Sequence, residues 1–299
     1  MIGRAAEKLK RFGIPFERDA CVRDRSSFRI GGTAALSVFP SDREQLASAI
    51  GILDEANIKT EVIGNASNIL FAFDRYNGAL VFTGGVSNFA IHGNTIECDA
   101  GVSLTYLANI AAKNSLTGLE FAYGIPGLLG GAVYMNAGAY GSQISDVIEY
   151  TVTYDRKKQK IERIYDGNFG YRESVYMDNS DLVCLGASLV LGTGKEDEIK
   201  GRMTHNMTSR REKQPLEYPS AGSYFKRPEG HFAGKLIEDC GLKGFSLGRV
   251  AVSQKHAGFI INLGGADWRE VLDIEEKVKE RVADTFGILL EREVRVITD

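Results

Sequence analysis

A length of 299 residues fits about two domains, and a net charge of −3 argues against a general nucleic-acid binder while leaving room for local basic patches. With 43% hydrophobic and 25% charged residues the make-up is that of an ordinary soluble globular protein, and no apolar run approaches the length of a membrane span. Cys21, Cys98, Cys184 and Cys240 lie far apart with no CxxC pair, so neither a zinc site nor a disulfide framework is signalled and a cytosolic setting is expected.

The N-terminal stretch lacks the continuous apolar centre of a secretory signal and reads as a short amphipathic helix. A strand is predicted over Ala35–Phe39. Ser41 with Glu44 then makes a capping box for a helix in which Leu46, Ala49, Ile50, Leu53 and Ala56 keep helical spacing. A strand at Glu61–Ile63 enters a small-residue loop, Gly64-Asn65-Ala66-Ser67-Asn68. Strands at Ala79–Thr83 and Thr95–Asp99 follow, then a helix over Leu104–Lys113 with Leu104, Leu107, Ala108 and Ala111 on one face.

The stretch from Gly124 to Ser142 is dense in glycine, and glycine gives up the most backbone entropy on folding. Such density implies a backbone that passes close to something. Ile125, Pro126, Leu128, Leu129, Val133 and Met135 are interspersed, so the spacing reads as a buried loop, stiffened where Pro126 biases Ile125 towards extended geometry. Two explanations fit: backbone donors arranged around a phosphate, or tight packing of loop against sheet.

Beyond this loop, Ile148–Tyr154 and Lys160–Tyr165 read as a hairpin turning at Asp155–Lys158, and Leu182–Leu191 as another strand. Composition turns polar at Gly192, where a charged helix begins that runs to about Lys213; the domain boundary is placed there. Next come a helix near Phe232–Cys240, strands at Arg249–Val252 and Gly258–Asn262, and a helix over Asp267–Phe286 with Val271, Ile274, Val278 and Val282 as its core stripe. The last strand, Leu289–Ile297, sets Glu291, Glu293 and Arg295 on one side and Leu290, Val294 and Val296 on the other. Strands and helices mix without regular βαβ alternation, which favours the α+β class.

No G-x-G-x-x-G follows a strand and no Walker sequence is present, while His92, His205, His231 and His256 are too scattered to suggest a metal site. Three constellations remain. Gly64 to Asn68 offers backbone and side-chain donors suited to a diphosphate, or is an ordinary turn. Ser223, in Pro219-Ser-Ala-Gly-Ser-Tyr-Phe-Lys226, is a turn serine or a proton donor, the latter only with neighbours that lower its pKa. Glu291, Glu293 and Arg295 form a solvated strand face, or supply an acid if one carboxyl sits in an apolar cleft.

Several segments in order carry a family resemblance: Arg29-Ile-Gly-Gly32, Gly64 to Asn68, Gly124 to Gly141, Tyr171-Arg-Glu-Ser174, Pro219 to Lys226, Gly241-Leu-Lys-Gly244, Lys255-His-Ala-Gly-Phe259 and Leu290-Glu-Arg-Glu-Val294. From about Arg25 to Ile297 the chain resembles the UDP-N-acetylenolpyruvoylglucosamine reductases, in the shorter class without a tyrosine-bearing insertion. The resemblance implies an N-terminal helix (1–22), an FAD-binding domain (23–193) of two α+β subdomains of the PCMH, vanillyl-alcohol-oxidase-like kind, and a C-terminal α+β substrate-binding domain (194–299) whose last strand, about 288–297, lines the active site. The implied activity is NADPH-dependent reduction of UDP-N-acetylglucosamine enolpyruvate to UDP-N-acetylmuramate, in peptidoglycan precursor synthesis. FAD is expected as a non-covalent cofactor and NADPH as co-substrate; Thr33 stands where covalent-flavin relatives carry histidine.

Carried over position by position, the resemblance makes Arg172 and Glu293 the pair that stabilises a carbanion and Ser223 the acid that protonates it. It assigns FAD contacts to Gly64, Asn65, Ala66, Ser67, Asn68, Gly124, Ile125, Pro126, Gly127, Gly130, Gly131, Ala132, Asn136, Ala137 and Gly138; the strand alternation, rather than the resemblance, sets Arg295 near the flavin ring. Lys213, Lys226 and Arg227 are expected to hold substrate or NADPH phosphates. No metal, nucleic acid or membrane is expected, and a monomer is. Three positions depart from the family pattern: Ala66 and Arg227 replace a frequent glycine and asparagine, and Leu128 a small polar residue.

Overall fold

Asp42 caps the helix Arg43–Glu55, its carboxylate accepting from the Gln45 amide at 2.7 Å. The cap expected at Ser41 lies one residue too early; the Ser41 amide instead donates to Gln45 Oε1 at 3.1 Å. Asp42 also brings an anion to the positive end of the helix, which a serine does not. Ser103 caps the helix Leu104–Lys113, and Asp267 with Glu270 forms a reciprocal box at the start of Trp268–Phe286. Gly287 ends that helix in the left-handed region, φ +68°.

This computed structural model describes all of Met1–Asp299, in two units. The first comprises Met1–Asp19, Ala35–Asn65 and Asn77–Ser209, the second Ala20–Ala34, Ala66–Tyr76 and Arg210–Asp299.

The first unit holds the greater part of two sheets. One runs in the order Phe16–Cys21, Thr33–Val38, Arg75–Phe82, Thr60–Ile63. Ala5 and Leu9 of the helix Ile2–Arg11, with Leu46, Ala49, Ile50 and Leu53, share its core with Leu36, Val38, Ala79 and Val81. The other is antiparallel, in the order Lys160–Ile164, Ile148–Asp155, Leu182–Val190, Thr95–Asp99, Phe89–His92. Leu104, Leu107, Ala108 and Ala111 bury against it as their spacing predicted. The glycine-rich stretch, expected as a loop throughout, becomes a short helix over Leu129–Tyr134. Leu129, Ala132 and Val133 fall at i, i+3 and i+4, one helical face, and all three enter the core.

In the second unit an antiparallel sheet runs Ser220–Ser223, Phe259–Asn262, Val250–Val252, Ser246–Leu247. The helix Trp268–Phe286 contributes Val271, Ile274, Val278 and Val282 to this unit's core, each fully buried. The terminal strand is shorter than expected: only Arg295–Ile297 is regular, paired in parallel with Ile69–Phe71. Before it, Arg292 makes an isolated bridge with Phe225, while Leu290 and Val294 still bury in the core. No helix is long and apolar enough to cross a membrane.

Candidate active site

Within the first unit the start of one small-residue loop is clasped to the glycine-rich stretch. Asn65 Nδ2 donates to Pro126 O at 2.7 Å, and a Cβ on Gly64 would meet Leu128 at 3.6 Å, ordinary contact. Leu128 is therefore the apolar wall beside Gly64. The two readings of the glycine spacing separate residue by residue. Gly130 is a packing glycine: its amide donates to Ala100 O at 2.8 Å, and a Cβ there would lie 2.8 Å from the Ala100 Cβ. Gly131 is exposed, and an added Cβ there would meet nothing within 4 Å, so the backbone is open at that one residue.

Arg172 joins this assembly from the loop after Gly170. Its guanidinium donates to Asn136 O at 3.3 Å and Gly138 O at 3.0 Å, and lies 5.2 Å from the Tyr171 ring centre. Its backbone sits in the left-handed region, φ +59°, as does that of Asn136, φ +42°. Asn136 is fully buried; its side chain donates to Gly170 O at 2.8 Å and accepts from the Ser145 amide at 3.2 Å. Buried Ser174 adds a bond from Oγ to Tyr134 O at 2.5 Å, and the Tyr176 hydroxyl is bonded to Thr151 and Thr153. Asn136 thus serves here as a brace between two loops. No spacing rule reveals a link from residue 136 to residue 170.

The second unit gathers Ser223, Glu293 and Ala66 to Asn68, the end of that same small-residue loop. Gly222 adopts φ +81°, and the pairing with Phe259–Asn262 shifts register between Ser220 and Ser223. Such an irregularity re-aims the side chain that follows it. The Tyr224 amide donates to Gly258 O at 2.8 Å, the Glu293 amide to Tyr224 O at 2.9 Å, and the Lys226 amide to Glu291 O at 2.8 Å. Residues 223–226 therefore run beside 291–293. Asn68 Nδ2 donates to Glu293 O at 3.1 Å, and the Arg295 amide donates to Asn68 O at 3.0 Å. Ala66, buried in this unit, takes φ +46°, a conformation that costs an L-residue roughly 1–2 kcal/mol and that glycine adopts freely.

Of the basic residues assigned to phosphates, Lys226 pairs with exposed Glu291 at 3.3 Å, Arg227 stacks 4.4 Å from the Phe232 ring centre, and Lys213 is exposed at the end of the helix Glu196–Lys213. Glu291 is exposed and Glu293 half-buried. The clusters are divided between units: Gly64, Asn65, the glycine-rich stretch and Arg172 lie in the first, the remaining assigned residues in the second.

Glu275 is the polar residue that the chain's spacing hid. It is 2% exposed, and its carboxylate accepts from Tyr224 Oη at 2.8 Å, Lys279 Nζ at 2.6 Å and Arg292 Nε at 2.8 and 2.9 Å. Burial alone raises its carboxyl pKa, but bonds from Arg292, Lys279 and Tyr224 outweigh this and hold it below the usual 4.5. The available signal was an acidic side chain inside an apolar stripe: 271, 275, 278 and 282 share one helical face.

A family model described as the FAD binding domain matches residues 34–156, and one described as the C-terminal domain of UDP-N-acetylenolpyruvoylglucosamine reductase matches 214–297. The chain is 45% identical over 277 residues to the UDP-N-acetylenolpyruvoylglucosamine reductase of Clostridium novyi, covering 92% of this chain and 90% of that one. To that of Caldicellulosiruptor bescii it is 44% identical over 292 residues, covering 97% and 93%. Among solved structures it resembles the reductase of Thermus caldophilus, with TM-score 0.81 at 30% identity, over 95% of this chain and 100% of that one.

Proposed function

The chain belongs to the UDP-N-acetylenolpyruvoylglucosamine reductase family, and on that premise we propose how its residues divide the catalytic labour. It is an FAD-dependent oxidoreductase that uses NADPH to reduce UDP-N-acetylglucosamine enolpyruvate to UDP-N-acetylmuramate in peptidoglycan synthesis. The residues fit FAD: Gly131 leaves its backbone open five residues after the Pro126 carbonyl that Asn65 clasps, and a dinucleotide needs such close approach to main chain. Gly64, Asn65, Gly124 to Gly127 and Gly131 would hold it. Bound FAD supplies the hydride relay from NADPH to the terminal vinyl carbon of the enol ether.

Hydride addition leaves negative charge on the carbon next to the substrate carboxylate. Arg172 supplies a fixed positive charge for that enolate-like species, its guanidinium oriented by two carbonyls of the glycine-rich stretch. Glu293, protonated, donates a hydrogen bond to it. Ser223 gives its hydroxyl proton to the carbon and recovers one from solvent. Lys213, Lys226 and Arg227 hold phosphates as local cations.

One observation supports this reading above the others: the bond from the Glu293 amide to Tyr224 O sets the two acid-bearing residues side by side although they lie far apart in the chain. Anaerobic mixing of the Ser223→Ala protein with NADPH and then the enol ether provides the test. Flavin bleaching at the parental rate followed by a failure to regain colour is expected. Recovery at the parental rate would remove Ser223 from the mechanism.

We further infer that the enzyme works in the cytosol as a monomer, with an FAD-binding domain over 23–193 and a substrate-binding domain over 194–299. Light scattering at the mass of two chains would overturn the first part.

A further inference from the structure

We propose that Glu275 is a positioning residue for the protonation step, clamping the immediate neighbours of Ser223 and Glu293 so that the two acids keep one register. The inference rests on the roles given above to Ser223 and Glu293. Tyr224 follows Ser223 and Arg292 precedes Glu293, and both side chains end on the one buried carboxylate, at 2.8 Å from Tyr224 Oη and at 2.8 and 2.9 Å from Arg292 Nε. Tyr224 is itself fully buried, so its hydroxyl has a fixed partner rather than solvent. Lys279, one turn along the same helix, holds the carboxylate from a third direction at 2.6 Å.

The backbone alone specifies this register weakly. Residues 290–294 form no regular strand, and the pairing with 223–226 consists of the Phe225–Arg292 bridge and its few flanking bonds. Short irregular pairings are prone to slip, and a slip of one residue turns a side chain to the opposite face. A side-chain clamp anchored in the rigid helix Trp268–Phe286 supplies what the ladder lacks. Stability alone explains the cluster poorly, because a buried ion pair gains little on average over apolar packing of the same volume, whereas fixing geometry is a use such pairs do have.

Charge and position predict opposite outcomes, which makes the inference testable. Glu275 is one anion among two cations. Removing its charge leaves more positive potential near Ser223, which favours proton release and predicts a faster step. Loosening the clamp predicts a slower one, since a misplacement of about 1 Å can cost up to ~100-fold in rate. In the step itself the Ser223 O–H bond breaks, a C–H bond forms at the substrate carbon, and the electron pair left on the serine oxygen takes a proton from water.

The experiment uses Glu275→Gln and Tyr224→Phe holoenzymes, mixed anaerobically with NADPH and then with the enol ether in H2O and D2O. Expected for Glu275→Gln are bleaching within about twofold of the parental rate, and return of colour and product formation slower by about tenfold or more. A larger solvent isotope effect on product formation is also expected, because proton transfer from a misaligned serine becomes limiting. Tyr224→Phe should shift the same way by less, and it decides the matter if Glu275→Gln does not fold, since it leaves Arg292 and Lys279 paired with the carboxylate. Return of colour at or above the parental rate, or an equal slowing of both half-reactions, overturns the inference. Ser223→Ala is run alongside: recovery in that protein refutes the role of Ser223, whereas a block there with normal Glu275→Gln refutes only the clamp.

Discussion

Gly130 and Gly131 adjoin in sequence yet face different surroundings, and a single methyl distinguishes them. Gly130→Ala forces a carbon to within 2.8 Å of Ala100 and should destabilise the protein by about 1–3 kcal/mol, read as a lower Tm with or without FAD. Gly131→Ala meets no protein atom, so the apoprotein should melt as the parent does while FAD affinity falls. Unchanged FAD affinity would move the cofactor away from that residue. At His256 the prediction concerns pH. Burial is the main cause holding its pKa below the usual 6.5, and its Nδ1 accepts from the Gly258 amide at 3.1 Å, a bond that requires an unprotonated nitrogen. The unfolded chain therefore binds the proton more readily, and stability contributed above pH 6.5 is lost as pH falls through the depressed folded value. Urea titrations at pH 8 and pH 5.5 should show a smaller loss for His256→Gln than for the parent. The small-residue loops and Ser223 were visible in the sequence because glycine and turn residues mark themselves. Glu275 was not, since periodicity counts apolar residues and passes over the charged one among them.

Among the elements, the long amphipathic helices were legible to within a residue or two: Leu104–Lys113 is as predicted, and the stripe of Trp268–Phe286 is buried throughout. Their hydrophobic spacing fixes face and length together. The short pieces were not: the helix Leu129–Tyr134 hid among glycines, and Ile69–Phe71 is a strand only because Arg295–Ile297 lies beside it. Tertiary pairing decides such segments, whose own propensity is weak. The loop bearing Arg172 is likewise shaped by remote partners, and Asn136 is the chief of them. Asn136→Ala leaves the Gly170 carbonyl and Ser145 amide without their partner, at a cost of about 1–3 kcal/mol. Arg172 should lose its orientation with the loop, so the enol-ether half-reaction should slow more than bleaching by NADPH does. Stopped-flow comparison of the two half-reactions checks this, and a loss of stability with both rates unchanged would make Asn136 a purely structural brace.

For the whole molecule, a resident cofactor acts on stability by mass action. At a free concentration of about 100 Kd, FAD adds about 2.7 kcal/mol to a fold that binds it only when native, and Tm should rise by roughly 4 °C. A melting curve that ignores added FAD in cofactor-stripped protein would contradict the flavin assignment. The division into units carries a separate consequence, for synthesis. The second unit is drawn from Ala20–Ala34, Ala66–Tyr76 and Arg210–Asp299, and a bond such as Asn262 Nδ2 to Phe28 O closes a gap of 234 residues. On the ribosome, where chains emerge from the N-terminus, its early pieces must wait until Arg210–Asp299 has been made. Until then Phe28, Ile30 and Leu70 have no core to enter, because most of that core is encoded last. The nascent chain thus passes through a period in which one unit can collapse while the apolar strips of the other stay uncovered, the interval in which a chaperone has something to hold.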